Sequence, residues 1–289
     1  MSPDAPRDAG AGVPVVVVPC FNEARRLDER ALGALADSGR VRLLFVDDGS
    51  TDATPGVLER LAATHEAVEV FTLPANAGKA EAVRRGLLVA LRGGATVTGY
   101  YDADLATPPG ELLRMVGLLE ASPEVAGMFG CRVARLGSAI ERRAARHYLG
   151  RAYATLASVA LGITVYDTQC GAKLFRVSDS LAAALAQPFP SPWAFDVELL
   201  ARLLRGDTGA PALDASAFVE VPLEHWRDVH GSKLRPGAAA GALIELGLIA
   251  RRRLRGHRAG PAPAVPASVL APGAGHQNRN ASPPGQRRA

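Results

Sequence analysis

The first hundred residues alternate between short apolar runs and longer segments of helical spacing, and each apolar run ends in a cluster of polar residues. Residues 13–18 are nearly all valine and stop at Pro19-Cys20-Phe21-Asn22-Glu23, after which residues 24–36 carry a helical pattern. A second run over residues 41–46 stops at Asp47-Asp48-Gly49-Ser50-Thr51-Asp52. Gly49 there permits a sharp turn, and Ser50 or Thr51 can cap a helix carrying Val57, Leu58 and Leu61. The third run, residues 68–73, meets Pro74-Ala75-Asn76-Ala77-Gly78-Lys79; the helix predicted over 79–91 places Ala82, Gly86 and Ala90 on one face. A fourth strand then delivers Tyr100-Tyr101-Asp102-Ala103-Asp104.

This strand-to-helix alternation predicts an α/β fold with a mainly parallel sheet, in which ligands bind beyond the carboxyl ends of the strands. Four polar loops on one edge make one site. Asp102 and Asp104 at a strand end suit a hard divalent cation, Mg²⁺ or Mn²⁺, which takes carboxylate oxygens and shares them with substrate phosphates. Neither a glycine-rich dinucleotide fingerprint after the first strand nor a Walker-type loop is present, which disfavours ordinary dehydrogenases and P-loop NTPases.

The order Pro-x-Phe-Asn-Glu, Asp-Asp-Gly-Ser-x-Asp, Asn-x-Gly-Lys and Asp-x-Asp resembles glycosyltransferase family 2, the inverting GT-A enzymes, over residues 13–253. The resemblance implies a Rossmann-like, mixed but mainly parallel sheet flanked by helices in a single domain, and a nucleotide-diphosphate sugar as donor. It also implies that Pro19, Phe21, Glu23, Asp47 and Asp48 contact base and ribose, that Lys79 approaches the base or the phosphates, and that Asp102 serves both nucleotide sugar and metal, with Asp104 the main metal ligand. Further on, Tyr166-Asp167-Thr168-Gln169-Cys170-Gly171-Ala172-Lys173, Trp193-Ala194-Phe195-Asp196-Val197-Glu198 and His225-Trp226-Arg227-Asp228-Val229-His230-Gly231-Ser232-Lys233 are similar to the dolichyl-phosphate β-glucosyltransferase and polyprenyl-phosphate glycosyltransferase branch. That branch implies transfer of a hexose, most often glucose from UDP-glucose, to a polyprenyl phosphate at a membrane surface. Mannose synthases of the family usually carry glutamine where this chain has Ala106, which favours the glucosyltransferase-like side.

An anionic acceptor and a departing diphosphate crowd negative charge at one carbon, so cations are needed around them. Arg132, Arg142, Arg143, Arg146, Arg227 and Lys233 are candidates for acceptor or phosphate binding, with Lys173 grouped among the catalytic residues. Arg142, Arg143 and Arg146 fall on a predicted helix, where solvation is the alternative reading. Asp167, opening the Thr-Gln-Cys-Gly turn, is expected nearest the reacting acceptor, either as a general base or as a group that orients the acceptor or Lys173. Asp196 ranks second, and Glu198 reads as structural at a helix start.

Composition changes the picture in three places. Residues 251–289 hold eight arginines and no acid; the 33 basic residues of the chain less these eight leave 25 against 29 acids, so the net +4 belongs to the tail and the body is acidic. An arginine cluster after the apolar helix predicted over 238–250 suits an anionic lipid surface, and no nucleic-acid motif accompanies it. Residues 1–12 and 256–289, rich in Pro, Ala, Gly and Arg, are expected to be disordered around one catalytic domain over 13–255. Three cysteines, Cys20, Cys131 and Cys170, lack metal-ligand spacing and fit a reducing compartment. With no secretory signal and no run of about 20 apolar residues, the expected place is the cytoplasm, peripheral to the inner face of the membrane, held by residues 152–165 and 238–250 as interfacial segments. Three rivals stay open: a hydroxyl acceptor on the same fold, an NDP-sugar nucleotidyltransferase, whose glycine-rich first loop is missing, and a non-catalytic nucleotide-sugar-binding protein.

Overall fold

The computed structural model describes residues 12–134, 136–141, 144–206, 209–229 and 238–256. Strands β1 (Val15–Cys20), β2 (Arg42–Asp47), β3 (Val68–Thr72) and β4 (Val97–Tyr101) alternate with helices α1 (Glu29–Ala36), α2 (Thr54–Thr64) and α3 (Lys79–Arg92). Then follow α4 (Pro109–Glu120), β5 (Gly127–Cys131), β6 (Ala139–Glu141), α5 (Ala144–Leu161), β7 (Ala172–Arg176), α6 (Asp179–Ala186), α7 (Phe195–Arg205), β8 (Phe218–Pro222), β9 (His225–Arg227) and α8 (Ala238–Gly256). Seven strands make one sheet in the order β3-β2-β1-β4-β7-β5-β8, and β6 pairs with β9 beside it. Every pairing in the large sheet is parallel except those of β7, which runs against both β4 and β5.

The near-continuous valine of β1 follows from burial on both faces. Val16, Val18, Leu43 and Phe45 point into the core beneath α1, α2 and α4, while Val17, Leu44 and Val46 point into the one beneath α3 and α5–α8. Period-two alternation thus feeds two cores from one sheet. As the spacing predicted, α3 buries Ala82, Gly86 and Ala90.

Two expected helices differ in extent. The first was expected from residue 24, but α1 begins at Glu29 because the Asp28 carboxylate accepts the Ala31 N–H at 2.9 Å and caps the helix there. The helix sought over 152–165 is α5, which stops at Leu161; Gly162 turns away at φ +66°, and the Ser158 hydroxyl holds both the N–H and the carbonyl of Val165. No helix among the described residues is long and apolar enough to cross a membrane. Arg142, Arg143, Lys233 and the two tails expected to be disordered lie outside the described residues, apart from Gly12 and Gly256; Arg146 falls in α5 with its side chain outside them.

Candidate active site

The parallel register of β1 and β2 sets Cys20 opposite Asp47, so the loops after both strands leave the sheet side by side. Asn22 clasps them. It sits at φ +53°, donates its N–H to the Ser50 hydroxyl (3.0 Å), and accepts the Thr51 and Asp52 N–H groups on its side-chain oxygen at 2.8 and 3.2 Å. Gly49 is required by its φ of +67° and by the third loop, since a Cβ there would lie 2.7 Å from the backbone of Ala75 and Asn76. The third loop is tied in by Asp48, whose carboxylate accepts from the Ala77 and Gly78 N–H groups at 2.7 and 2.8 Å and from the Asn76 amide at 3.1 Å. Burial pushes the Asp48 carboxyl up, and those N–H donors pull against it. Asp47, also buried, accepts the Ser50 N–H, and Glu23 is held by Arg26 in a bidentate pair at 2.6 Å. Pro19, Phe21, Glu23, Asp47, Asp48 and Lys79 are therefore gathered on one edge, with Asp48 and Glu23 already engaged in building it.

Asp102 leaves β4 in the middle of that edge. Its N–H donates to the Gly171 carbonyl at 2.8 Å, and its side chain lies against Gly171 so closely that a Cβ there would fall 2.0 Å from Oδ2. Lys79 Nζ meets Asp102 Oδ1 at 2.6 Å. Asp104 accepts the Ala106 N–H at 3.1 Å; burial and then the Asp102 charge push its carboxyl up. An Asp104 carboxyl raised in this way, beside an Asp102 already drawing an ammonium, gives a donor set of hard oxygens that a divalent cation would relieve. Asp102 and Asp104 therefore fit such an ion, completed by ligands from substrate. The other close acidic group among the described residues, Glu111, Glu224 and His225, is occupied by the Arg114 ion pair at 2.6 Å and by backbone N–H donors.

Because β7 is reversed, the turn before it reaches the same edge from the opposite chain direction. Asp167 in that turn is almost fully buried and accepts three hydrogen bonds from Arg132 at the end of β5: backbone N–H at 3.0 Å, Nε at 2.6 Å and Nη2 at 2.7 Å. Burial alone would raise the Asp167 carboxyl; the Arg132 guanidinium overrides it and holds the group below its ordinary value. Arg132 also stacks over the Trp226 ring at 5.3 Å. On the far side of the turn, Glu220 of β8 accepts the N–H groups of Tyr166 and Asp167 at 2.8 and 2.7 Å.

Lys173 and Asp196 pair at 2.9 Å beneath this surface, and Lys173 also donates to the Cys170 carbonyl at 2.7 Å between the Tyr100 and Phe129 rings. Asp196 further accepts from the Tyr100 hydroxyl and from the Gln169 amide. Burial pushes the Asp196 carboxyl up and the Lys173 ammonium down. Arg227 is exposed on β9, where its N–H donates to the Ala106 carbonyl next to the Asp104 turn. The three cysteines are free and buried, and burial raises each thiol, which leaves no thiolate nucleophile.

Above the buried pair opens a cavity of about 650 Å³. Its polar end is Asp102, Arg132, Asp167 and Gln169; its walls are Leu149 and Leu156 of α5, Leu243 of α8, and Trp193 and Trp226. Glu220, which clamps the Asp167 turn, and Glu245, which lies behind Trp193, escape a reading of the sequence. Each is an isolated acid in an apolar segment with no motif around it.

Residues 15–180 match the family model for glycosyl transferase family 2. A dolichyl-phosphate beta-glucosyltransferase of Drosophila melanogaster is 32% identical over 238 residues, covering 76% of this chain and 69% of its own. Among solved structures, glucosyl-3-phosphoglycerate synthase from Mycobacterium tuberculosis with UDP superposes with a TM-score of 0.57 at 21% identity, covering 86% of this chain and 82% of its own. The mannosyltransferase PcManGT from Pyrobaculum calidifontis with GDP-Man and Mn²⁺ gives 0.55 at 20% identity, covering 90% and 68%. The mixed sheet with its reversed strand and the ordered acidic loops agree with these likenesses, and the chain belongs to glycosyl transferase family 2: it is a glycosyltransferase.

Proposed function

We propose that this enzyme transfers a hexose, glucose from UDP-glucose, to a polyprenyl phosphate at a membrane surface, with inversion at the anomeric carbon. One observation carries the reading: a single cavity joins the charged groups Asp102, Arg132 and Asp167 to walls of leucine and tryptophan. A hydroxyl acceptor of a polysaccharide does not need such walls. A phosphate bearing an isoprenoid chain does, and the Drosophila relative is named for a lipid-phosphate acceptor of this class.

The roles follow from the chemistry. Pro19, Phe21, Glu23, Asp47, Asp48 and Lys79 shape the nucleoside end, and Asp102 with Asp104 would hold Mg²⁺ or Mn²⁺, whose charge would offset that of the leaving diphosphate. A phosphate acceptor is ionised near neutral pH and needs no base. Asp167, held anionic by Arg132, serves to fix that guanidinium facing the acceptor phosphate. Lys173 and Asp196 set the floor from below, and Arg227 contributes from the rim; Arg142, Arg143, Arg146 and Lys233 remain proposed phosphate contacts. Residues 13–255 constitute the catalytic unit.

Nucleotide release from UDP-glucose with Mn²⁺ is expected to rise at least about tenfold when a short polyprenyl phosphate in detergent is added, because proximity supplies the acceptor at high effective concentration. Release indifferent to the lipid phosphate would overturn this acceptor and return the hydroxyl-acceptor reading.

The membrane itself is met by the outer face of α5 and α8, where Tyr148, Leu149, Leu243, Ile244 and Leu248 are exposed and Arg251 follows on the last turns of α8. An apolar face flanked by arginines fits the anionic inner surface of a cytoplasmic membrane. Ile244→Ser combined with Leu248→Ser is expected to weaken co-sedimentation with phosphatidylglycerol-containing vesicles by about tenfold or more, at roughly 1.5–3 kcal/mol per buried side chain, while release with detergent-solubilised acceptor persists. Unchanged vesicle binding would remove this face from the reading.

A further inference from the structure

Helix α8 turns Ala242, Leu246 and Ile249 inward, all nearly inaccessible, and Glu245 falls on the same stripe. A carboxylate there is costly unless it is met by donors. It is met by backbone: Glu245 accepts the N–H of Trp193 at 3.1 Å and of Ala194 at 2.7 Å. Ala194 is the N-cap of α7 and has no side chain able to cap, so an acid from another helix holds the two backbone N–H groups that lead into this helix start. Glu245 also lies close to Tyr153 of α5, whose phenol is held above its ordinary value first by burial and then by that charge.

The capped turn leads directly into the site. Trp193 lines the acceptor cavity, and Asp196, two residues beyond Ala194, holds Lys173, Tyr100 and Gln169. One turn further, Glu198 accepts from Arg252 of α8 at 3.2 Å. The helix that walls the cavity and the floor beneath the reacting groups are therefore joined through one short turn of backbone.

We propose that Glu245 is a positioning residue, fixing the first turn of α7 so that Asp196 holds Lys173 beneath the reacting groups and Trp193 closes the acceptor cavity. This rests on the reading of that cavity as the acceptor site. The hydrogen bonds of Glu245 go to Trp193 and Ala194 and to neither the metal-binding loop nor the nucleoside loops, so its loss is felt in turnover and acceptor use rather than in donor affinity.

Glu245→Ala is expected to lower kcat about tenfold and raise the acceptor KM, with the donor KM unchanged within about twofold. Glu245→Gln, whose amide oxygen still accepts, restores kcat to within about threefold of wild type. In an Asp196→Asn background, Glu245→Ala costs little more, because the two substitutions break one chain of contacts. Hydrogen exchange of the segment 193–199, measured without substrate, rises in Glu245→Ala. A full tenfold loss repeated in the Asp196→Asn background, or unchanged exchange in 193–199, overturns the proposal; so does a variant that loses only melting temperature. Wild-type release that ignores lipid phosphate sinks the acceptor reading instead, and the exchange measurement still decides the role of Glu245.

Discussion

With UDP-glucose and Mn²⁺, the Asp104→Ala enzyme is expected to release nucleotide at least about a hundredfold more slowly than wild type, while its far-ultraviolet circular dichroism is unchanged. Asp104 is half-buried and its carboxyl is raised by burial and by the neighbouring charge of Asp102. Such a pair tolerates its own repulsion only with a cation close by; Lys79 makes its ion pair with Asp102, at 2.6 Å, while Arg26 and Lys79 act on Asp104 through their charge alone. Removing Asp104 leaves Asp102 to that lysine and takes away the second oxygen a divalent ion needs. Several kcal/mol of charge stabilisation on the departing diphosphate goes with the ion, and about 1.4 kcal/mol is a factor of ten in rate. Isothermal titration with Mn²⁺ in the presence of UDP separates this from a folding defect: wild type binds the ion, and the variant does so at least about tenfold more weakly. A variant that turns over within threefold of wild type would take the metal away from these two carboxylates.

The second large effect is on stability. Arg132→Ala leaves Asp167 nearly buried with its bidentate partner gone, and breaking a buried pair by removing one member typically costs about 3–5 kcal/mol. The sign with pH follows from the direction of the shift. In wild type the Asp167 carboxyl is held below the ordinary value of 3.8, so its contribution is fully present above that pH and is lost as pH falls through the depressed value. In the variant, burial no longer meets a guanidinium and raises the same carboxyl, so the variant is penalised increasingly as pH climbs from about 4. The stability gap between the two proteins is therefore wide at pH 7 and narrow near pH 3.5. Urea unfolding at both values reads it directly, and a gap independent of pH would show that Asp167 is not the group left stranded. Arg132→Lys keeps a charge but loses the fork that engages both carboxylate oxygens, so it recovers only part of the stability and little of the activity.

Much of the half from β1 to β4 was legible because each element there announces itself locally. Four valines in succession, residues 15–18 of β1, signal burial on two faces, and the residues that follow β1, β2 and β4 are polar and closely spaced in sequence, so their convergence needs only a parallel sheet. The half from β5 to β8 is built differently. The reversal of β7 carries no local signature, since nothing in Ala-Lys-Leu-Phe-Arg marks a direction in the sheet; only pairing with β4 and β5 decides it. Asp167 was picked out by its motif, but its fate as the anchor of Arg132 depends on a contact across 35 positions of chain. Glu220 and Glu245 act on backbone N–H groups 53 and 51 residues away, and backbone donors leave no trace in a sequence pattern.

The reversed β7 also works as a ruler. Its register sets Tyr101 opposite Ala172 on one side and Phe129 opposite Lys173 on the other, so the ends of β4 and β5 stand a fixed two strand spacings apart, about 9.5 Å, with the Asp167 turn rising between them. Asp102 and Asp104 follow the strand on one side of that ruler, and Arg132 follows the strand on the other. The consequence is an uneven tolerance: a change of length within these five residues would slide the Asp102 loop and the Asp167 turn against each other, whereas a change of length in a loop outside them leaves that spacing alone.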